Sequence, residues 1–183
     1  MPPGITQCGA CLTDPPPLDR CLAAVAYGYP WAGCIARFKF EGEPGWAAPL
    51  ATLLRSTPWV EPALDAADWV LPVPLSTSRL RERGFNQALA LARRLGPRRK
   101  VRADLLLRVR ATEAQHALGR AARLRNMARA FAVEPLRTTE LRGRHVVLVD
   151  DVMTSGATLF AAATALREAG AAHVTGLVVA RTA

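Results

Sequence analysis

The chain has 183 residues, half of them hydrophobic, which suits one globular domain with a real core and at most a small appendage. No run of eighteen apolar residues exists, so the sequence offers no helix to span a bilayer. The formal charge of +9 is concentrated: residues 79–144 hold eighteen Lys/Arg against five Asp/Glu, which fits a polyphosphate or nucleic-acid partner, or equally a set of helices solvated by arginine.

At the start of the chain, Met1-Pro2-Pro3 has neither the basic nor the apolar segment of a secretory signal, so the expected compartment is the cytoplasm. Residues 1–20 contain five of the fourteen prolines and no periodicity, and read as an irregular arm. All four cysteines, Cys8, Cys11, Cys21 and Cys34, precede residue 35. Without a secretion signal, a metal or free thiols are favoured over disulfides. Cys8-Gly9-Ala10-Cys11 is one half of a zinc knuckle, but Cys21 and Cys34 lie thirteen apart rather than forming a second knuckle. A zinc held by all four cysteines and a remnant pair in a loop both remain open.

Residues 22–29 have strand character, 31–40 read as a short helix ending at Gly42, and 46–55 as an amphipathic helix broken by 58–62. Residues 69–74 form an apolar strand running into a loop of Pro, Ser and Arg. A helix follows over 86–95, stopped by Gly96-Pro97, and 105–109 reads as a strand. Thr112 opens a helix reaching about residue 129, with Gln115 at the capping-box position. Residues 130–133 and 145–149 are strands, 158–169 a helix leaving through Gly170, and 173–180 a final buried strand. Strands alternating with helices predict an α/β fold: a doubly wound, mostly parallel sheet with helices on both faces and a short irregular N-terminal arm. Neither a P-loop nor a GxGxxG pattern is present.

Ligands of such sheets bind outside the carboxyl ends of the strands, and the most informative segment, residues 146–158, lies at one. Val146-Val147-Leu148-Val149 makes a buried strand, at whose tip Asp150 and Asp151 emerge. Thr154-Ser155-Gly156-Ala157-Thr158 then turns into the start of a helix. A helix start presents unpaired N–H groups at a positive dipole end, where a phosphate can dock. Thr154, Ser155 and Thr158 add hydroxyls, and Gly156 and Ala157 keep the approach open. Two adjacent carboxylates suit the vicinal hydroxyls of a ribose, and they would repel a phosphate in direct contact. The segment therefore fits a ribose 5-phosphate.

Two acids, two hydrophobic residues and Thr-Ser-Gly-Ala-Thr after an apolar strand resemble the signature of type I phosphoribosyltransferases. Pro72-Val73-Pro74-Leu75, Arg79 and Arg83-Gly84-Phe85-Asn86-Gln87 resemble a loop of the ComF family of competence-associated proteins. Gln115, Leu118, Arg123, Asn126 and Ala130-Phe131 match that family's second motif, and Phe38-Lys39-Phe40-Glu41-Gly42 its upstream lysine motif. Cys8 and Cys11 look like the end of its N-terminal zinc ribbon, whose full form carries further CxxC pairs upstream.

The resemblance implies a type I phosphoribosyltransferase domain over 46–183, with 1–45 as arm and partial lid. It implies phosphoribosyl pyrophosphate with magnesium as ligand: Thr154 to Thr158 on the 5-phosphate, Asp150 and Asp151 on the ribose and, through water, the metal. Arg79, Arg83 and Gly84 would take the pyrophosphate, and zinc would fall to Cys8 and Cys11. Three roles follow: a transferase acting on an unspecified nucleobase-like acceptor, a non-catalytic binder serving competence beside single-stranded DNA or a helicase, or a partner-binding protein without ligand. No histidine constellation points to a catalytic residue.

Overall fold

The computed structural model describes residues 9–13, 15–109 and 129–182. A one-turn helix α1 (Gly9–Thr13) precedes β1 (Arg20–Ala26), α2 (Trp31–Phe40), α3 (Ala47–Arg55), α4 (Val60–Ala66) and β2 (Trp69–Pro72). Next come α5 (Thr77–Arg83), α6 (Gln87–Leu95) and β3 (Leu106–Arg108). The last elements are β4 (Phe131–Val133), β5 (His145–Met153), α7 (Ala157–Glu168) and β6 (His173–Arg181). The helix expected from Thr112 onward lies outside the described residues.

Four strands pair in the order β1-β6-β5-β2, all of them parallel. The apolar runs of β5 and β6 explain their central place, since a strand covered on both faces must be hydrophobic throughout rather than alternating. Alternation along β5 then sorts the cores. Val146 and Leu148 face one layer with Leu159, Ala162, Ala163 and Leu166 of α7 and Leu106 and Phe131 of the antiparallel β3–β4 pair. Val147 and Val149 face the other layer, with Ile35 and Phe38 of α2, Leu50 and Leu54 of α3, and Leu91 and Leu95 of α6. The architecture is the mixed α/β, mainly parallel sheet expected of a type I phosphoribosyltransferase. Residues 20–40 are integral to it: β1 is an edge strand on β6, and Phe38 is fully buried.

The helix read over 46–55 does end at Arg55, and a separate helix, α4, starts at Val60 with Pro62 in its first turn, where a missing N–H is harmless. Two local readings are corrected. The segment after Pro74 is not all loop. Ser76 caps α5 by accepting from Arg79 N at 3.4 Å, and Gly84 closes it at φ +77°. A seven-residue helix reading TSRLRER buries nothing, so no apolar period announces it. Finally, the strand carrying the acids does not stop at Val149. β5 continues to Met153 because β6 stays alongside, with Asp150 opposite Val178 and Met153 opposite Arg181.

Candidate functional site

Because β5 runs through its acids, successive side chains point to opposite faces. Asp150 follows Val146 and Leu148 toward the layer of the β3–β4 pair, and Asp151 follows Val147 and Val149 toward α2. The partners agree. Lys39, in the last turn of α2, places Nζ 2.7 Å from Asp151 Oδ1, with only 17% and 9% of the two side chains exposed. Asp150 Oδ1 accepts the Asp151 backbone N–H at 2.9 Å. Asp150 is half-buried by surface area, yet enclosure by the surrounding protein, followed by the Asp151 charge, pushes its carboxyl up to about 7. Lys39 and Arg83 act in the opposite direction on the same group. One acid of the pair is thus neutralised internally, while the other lacks a full counter-charge.

The turn after β5 leads directly into α7. Gly156 is the N-cap residue at φ +81°, ψ −7°, and no side chain caps the helix. The first-turn amides are therefore left to a ligand or water. Thr154 is exposed, Ser155 and Thr158 are half-buried, and Gly156 and Ala157 are buried. A Cβ on Gly156 would lie 2.6 Å from Phe160 Cζ and 2.8 Å from Met153 Cε. The glycine is thus required by its left-handed backbone and by packing behind the turn.

The loop residues converge from β2. Val73 N donates to Val149 O at 2.9 Å, carrying the end of β2 past the apolar part of β5. Asn86 locks the next segment to it: Nδ2 donates to Val73 O at 3.0 Å, and Oδ1 accepts Leu89 N at 3.2 Å as the N-cap of α6. Arg83, in the last turn of α5, is half-buried, with its guanidinium carbon 5.1 Å from the Phe40 ring centroid. Lys39 and Phe40 therefore bridge the two halves of the cleft, one contacting the acids and the other the loop arginine.

Arg79, near the start of α5, lies close enough to Arg108 at the end of β3 to disfavour its charge. Burial first, and Arg79 second, hold Arg108 below the usual arginine range, while Asp150 acts against them. The structure thus gathers Asp150, Asp151, Arg79, Arg83, Gly84 and the turn from Thr154 to Thr158 around the carboxyl ends of β2 and β5. It adds Lys39, Phe40, Gln87 and Arg108 to the same surroundings. Of these, Lys39, Phe40 and Gln87 are legible in the sequence as motif members, and Arg108 has no signal of its own.

Cys8 lies outside the described residues. Cys11 is half-buried; burial first, with nearby Cys11 adding to it against the opposing Arg181 charge, pushes the Cys21 thiol up, and Cys21 Sγ donates to Met153 Sδ at 3.4 Å. Among the described residues no group of three or more His, Cys, Asp or Glu gathers to hold a metal.

Residues 81–182 match the family model described as phosphoribosyl transferase domain. The chain is 36% identical over 177 residues to the DNA utilization protein YhgH of Escherichia coli strain K12, covering 91% of this chain and 74% of that protein. It is 32% identical over 175 residues to competence protein F of Haemophilus influenzae, covering 92% and 75% of the two chains. Competence protein ComFC of Bacillus subtilis shares 32% identity over 138 residues, covering 75% of this chain and 54% of that protein. With this matched domain, this sheet and the loop and acid motifs in register with them, the chain belongs to the ComF family of phosphoribosyltransferase-like proteins.

Proposed function

We propose that the protein binds phosphoribosyl pyrophosphate together with magnesium and serves DNA uptake or use. The observation that carries the ligand is the half-compensated acid pair on β5, enclosed between Lys39 and Arg83 and next to the uncapped start of α7. Ribose hydroxyls would donate to Asp150 and Asp151, the 5-phosphate would accept from the turn of Thr154 to Thr158, and the diphosphate would reach Arg79 and Arg83. The donor set suits magnesium. It is all hard carboxylate oxygen, it carries a charge the protein does not fully offset, and it needs only one or two acids because substrate phosphates and water complete the shell. Bound there, the ion would supply charge neutralisation for the diphosphate.

The DNA role rests on the names of the relatives and on the basic stretch of residues 79–144. Within it, Arg93, Arg94, Arg98 and Arg99 are exposed. Lys100 and Arg102 have structural tasks. Lys100 donates to Leu64 O and Asp65 O at 3.2 and 3.0 Å, and Arg102 binds Asp104 and Glu140. No helix is long and apolar enough to cross a membrane among the described residues.

Titration calorimetry with phosphoribosyl pyrophosphate and magnesium tests the reading. Wild type should bind, and the double variant Asp150→Asn with Asp151→Asn should lose well over tenfold in affinity, because each removes a charge-assisted hydrogen bond worth about 1.5–3 kcal/mol. Equal affinity of the two proteins would overturn it. Pyrophosphate release in the presence of a panel of nucleobases then distinguishes a transferase from a binder.

A further inference from the structure

Arg83 is held by a residue to which the ligand reading assigns no task. Its Nη1 donates to Gln87 Oε1 at 3.1 Å, while Phe40 covers a face of the guanidinium. Gln87 is the first residue of α6 and only 1% exposed, on a helix whose other buried positions are Ala88, Leu91, Ala92 and Leu95. A primary amide in that position is costly unless both of its ends are satisfied. Here one end is. Gln87 Nε2 and Arg83 Nε are both buried without a hydrogen-bond partner among the described residues. The orientation leaves no alternative: a guanidinium has donors only, so the amide must turn its oxygen to Arg83 and strand its own NH2.

For stability alone, an apolar side chain of similar length would serve α6 better, since it would leave no orphaned amide. The amide is accounted for by its effect on Arg83. An arginine at the end of a short surface helix explores many rotamers, and a ligand that recruits it must freeze them. Gln87 and Phe40 freeze them in advance, one by a hydrogen bond in the guanidinium plane and the other by packing against its face.

We propose that Gln87 is a positioning residue that fixes Arg83 for a diphosphate. This deepens the reading above and rests on Arg83 being a diphosphate contact. The Arg83 charge also acts on Asp150, so the fixed guanidinium lies within electrostatic reach of the acid pair.

The test uses the full chain and two probes, inorganic pyrophosphate with magnesium and ribose 5-phosphate, titrated separately. Gln87→Met keeps the buried volume and removes the acceptor. It should lower pyrophosphate affinity by about tenfold, the effect of losing a hydrogen bond to a charged group, and leave ribose 5-phosphate affinity unchanged. In an Arg83→Met background the same substitution should have no further effect, because Gln87 acts only through that arginine. Gln87→Asn, one methylene too short to reach Arg83, should repeat the pyrophosphate loss and stands in if Gln87→Met does not fold. Equal losses for both probes, or losses that add to that of Arg83→Met, would show a merely structural glutamine. Wild type binding ribose 5-phosphate but not pyrophosphate would overturn the positioning role alone. Wild type binding neither would bring down the ligand reading and the positioning role with it.

Discussion

Removing Lys39 should expose what the acid pair costs the fold. At 2.7 Å and an effective dielectric near 20, the Lys39–Asp151 attraction is about 6 kcal/mol before desolvation of the two groups is charged against it. Removing one partner of a fully buried pair costs about 3–5 kcal/mol, because the other charge is left uncompensated. With 17% of Lys39 and 9% of Asp151 exposed, Lys39→Met should destabilise the protein by about 2–4 kcal/mol. The companion variant decides the cause. Asp151→Asn placed on top of Lys39→Met removes the stranded carboxylate and should restore most of the loss, so the two changes are strongly non-additive. Urea unfolding of the wild type, both single variants and the double variant at pH 7.5 gives the coupling energy. A Lys39→Met protein within about 0.5 kcal/mol of wild type, or a double variant less stable than Lys39→Met, would refute the ion-pair account.

Other expectations follow from the same geometry. The Asp150 carboxyl is raised from its ordinary 3.8 to about 7, so the folded state binds the extra proton between these values. Stability from this group is full below about 4, falls as pH rises toward 7 and is level above, at up to about 1.4 kcal/mol per pH unit. Asp150→Asn should flatten that decline in unfolding measured from pH 4 to 8, and an unchanged slope would sink the assignment. Gly156→Val should weaken ribose 5-phosphate binding more than Ser155→Ala, since a branched side chain is strained on the left-handed backbone at this position and strikes Phe160 and Met153, whereas the hydroxyl is one donor among several amides. A Ser155→Ala loss of equal size in the titration would show that the backbone is not the phosphate cradle. Binding of labelled single-stranded DNA, followed by fluorescence anisotropy, should be weak and independent of sequence, and should fall with salt at a log–log slope of about −0.7 per phosphate contact. No binding at low salt would reduce the exposed arginines to solvation.

Sequence alone determines the centre of this protein. The apolar run from Val146 to Val149, set between turn residues and a helix start, reads as an interior parallel strand, and the glycine in Thr-Ser-Gly-Ala-Thr reads as a turn into a helix, as its φ of +81° bears out. These are local signals, in which period, turn chemistry and capping act within a few residues. For the same reason α2 is legible at its observed bounds, residues 31–40. The local grammar misleads where an element buries nothing, as in α5, or where a neighbour prolongs it, as β6 prolongs β5 through the acids.

Only the tertiary structure decides what surrounds those acids. The pleat sends Asp150 and Asp151 to opposite faces, so adjacent residues in the chain acquire different partners. Pairing of β1 with β6 brings the N-terminal segment onto the sheet, and the end of α2 then places Lys39 on Asp151 and Phe40 against Arg83. The FKFEG stretch marks Lys39 as a motif residue but does not name Asp151 as its partner, nor does a glutamine at a helix start reveal that it will be buried with an arginine. Such contacts are set by sheet order and helix packing across most of the chain, distances over which residue type and spacing carry no information.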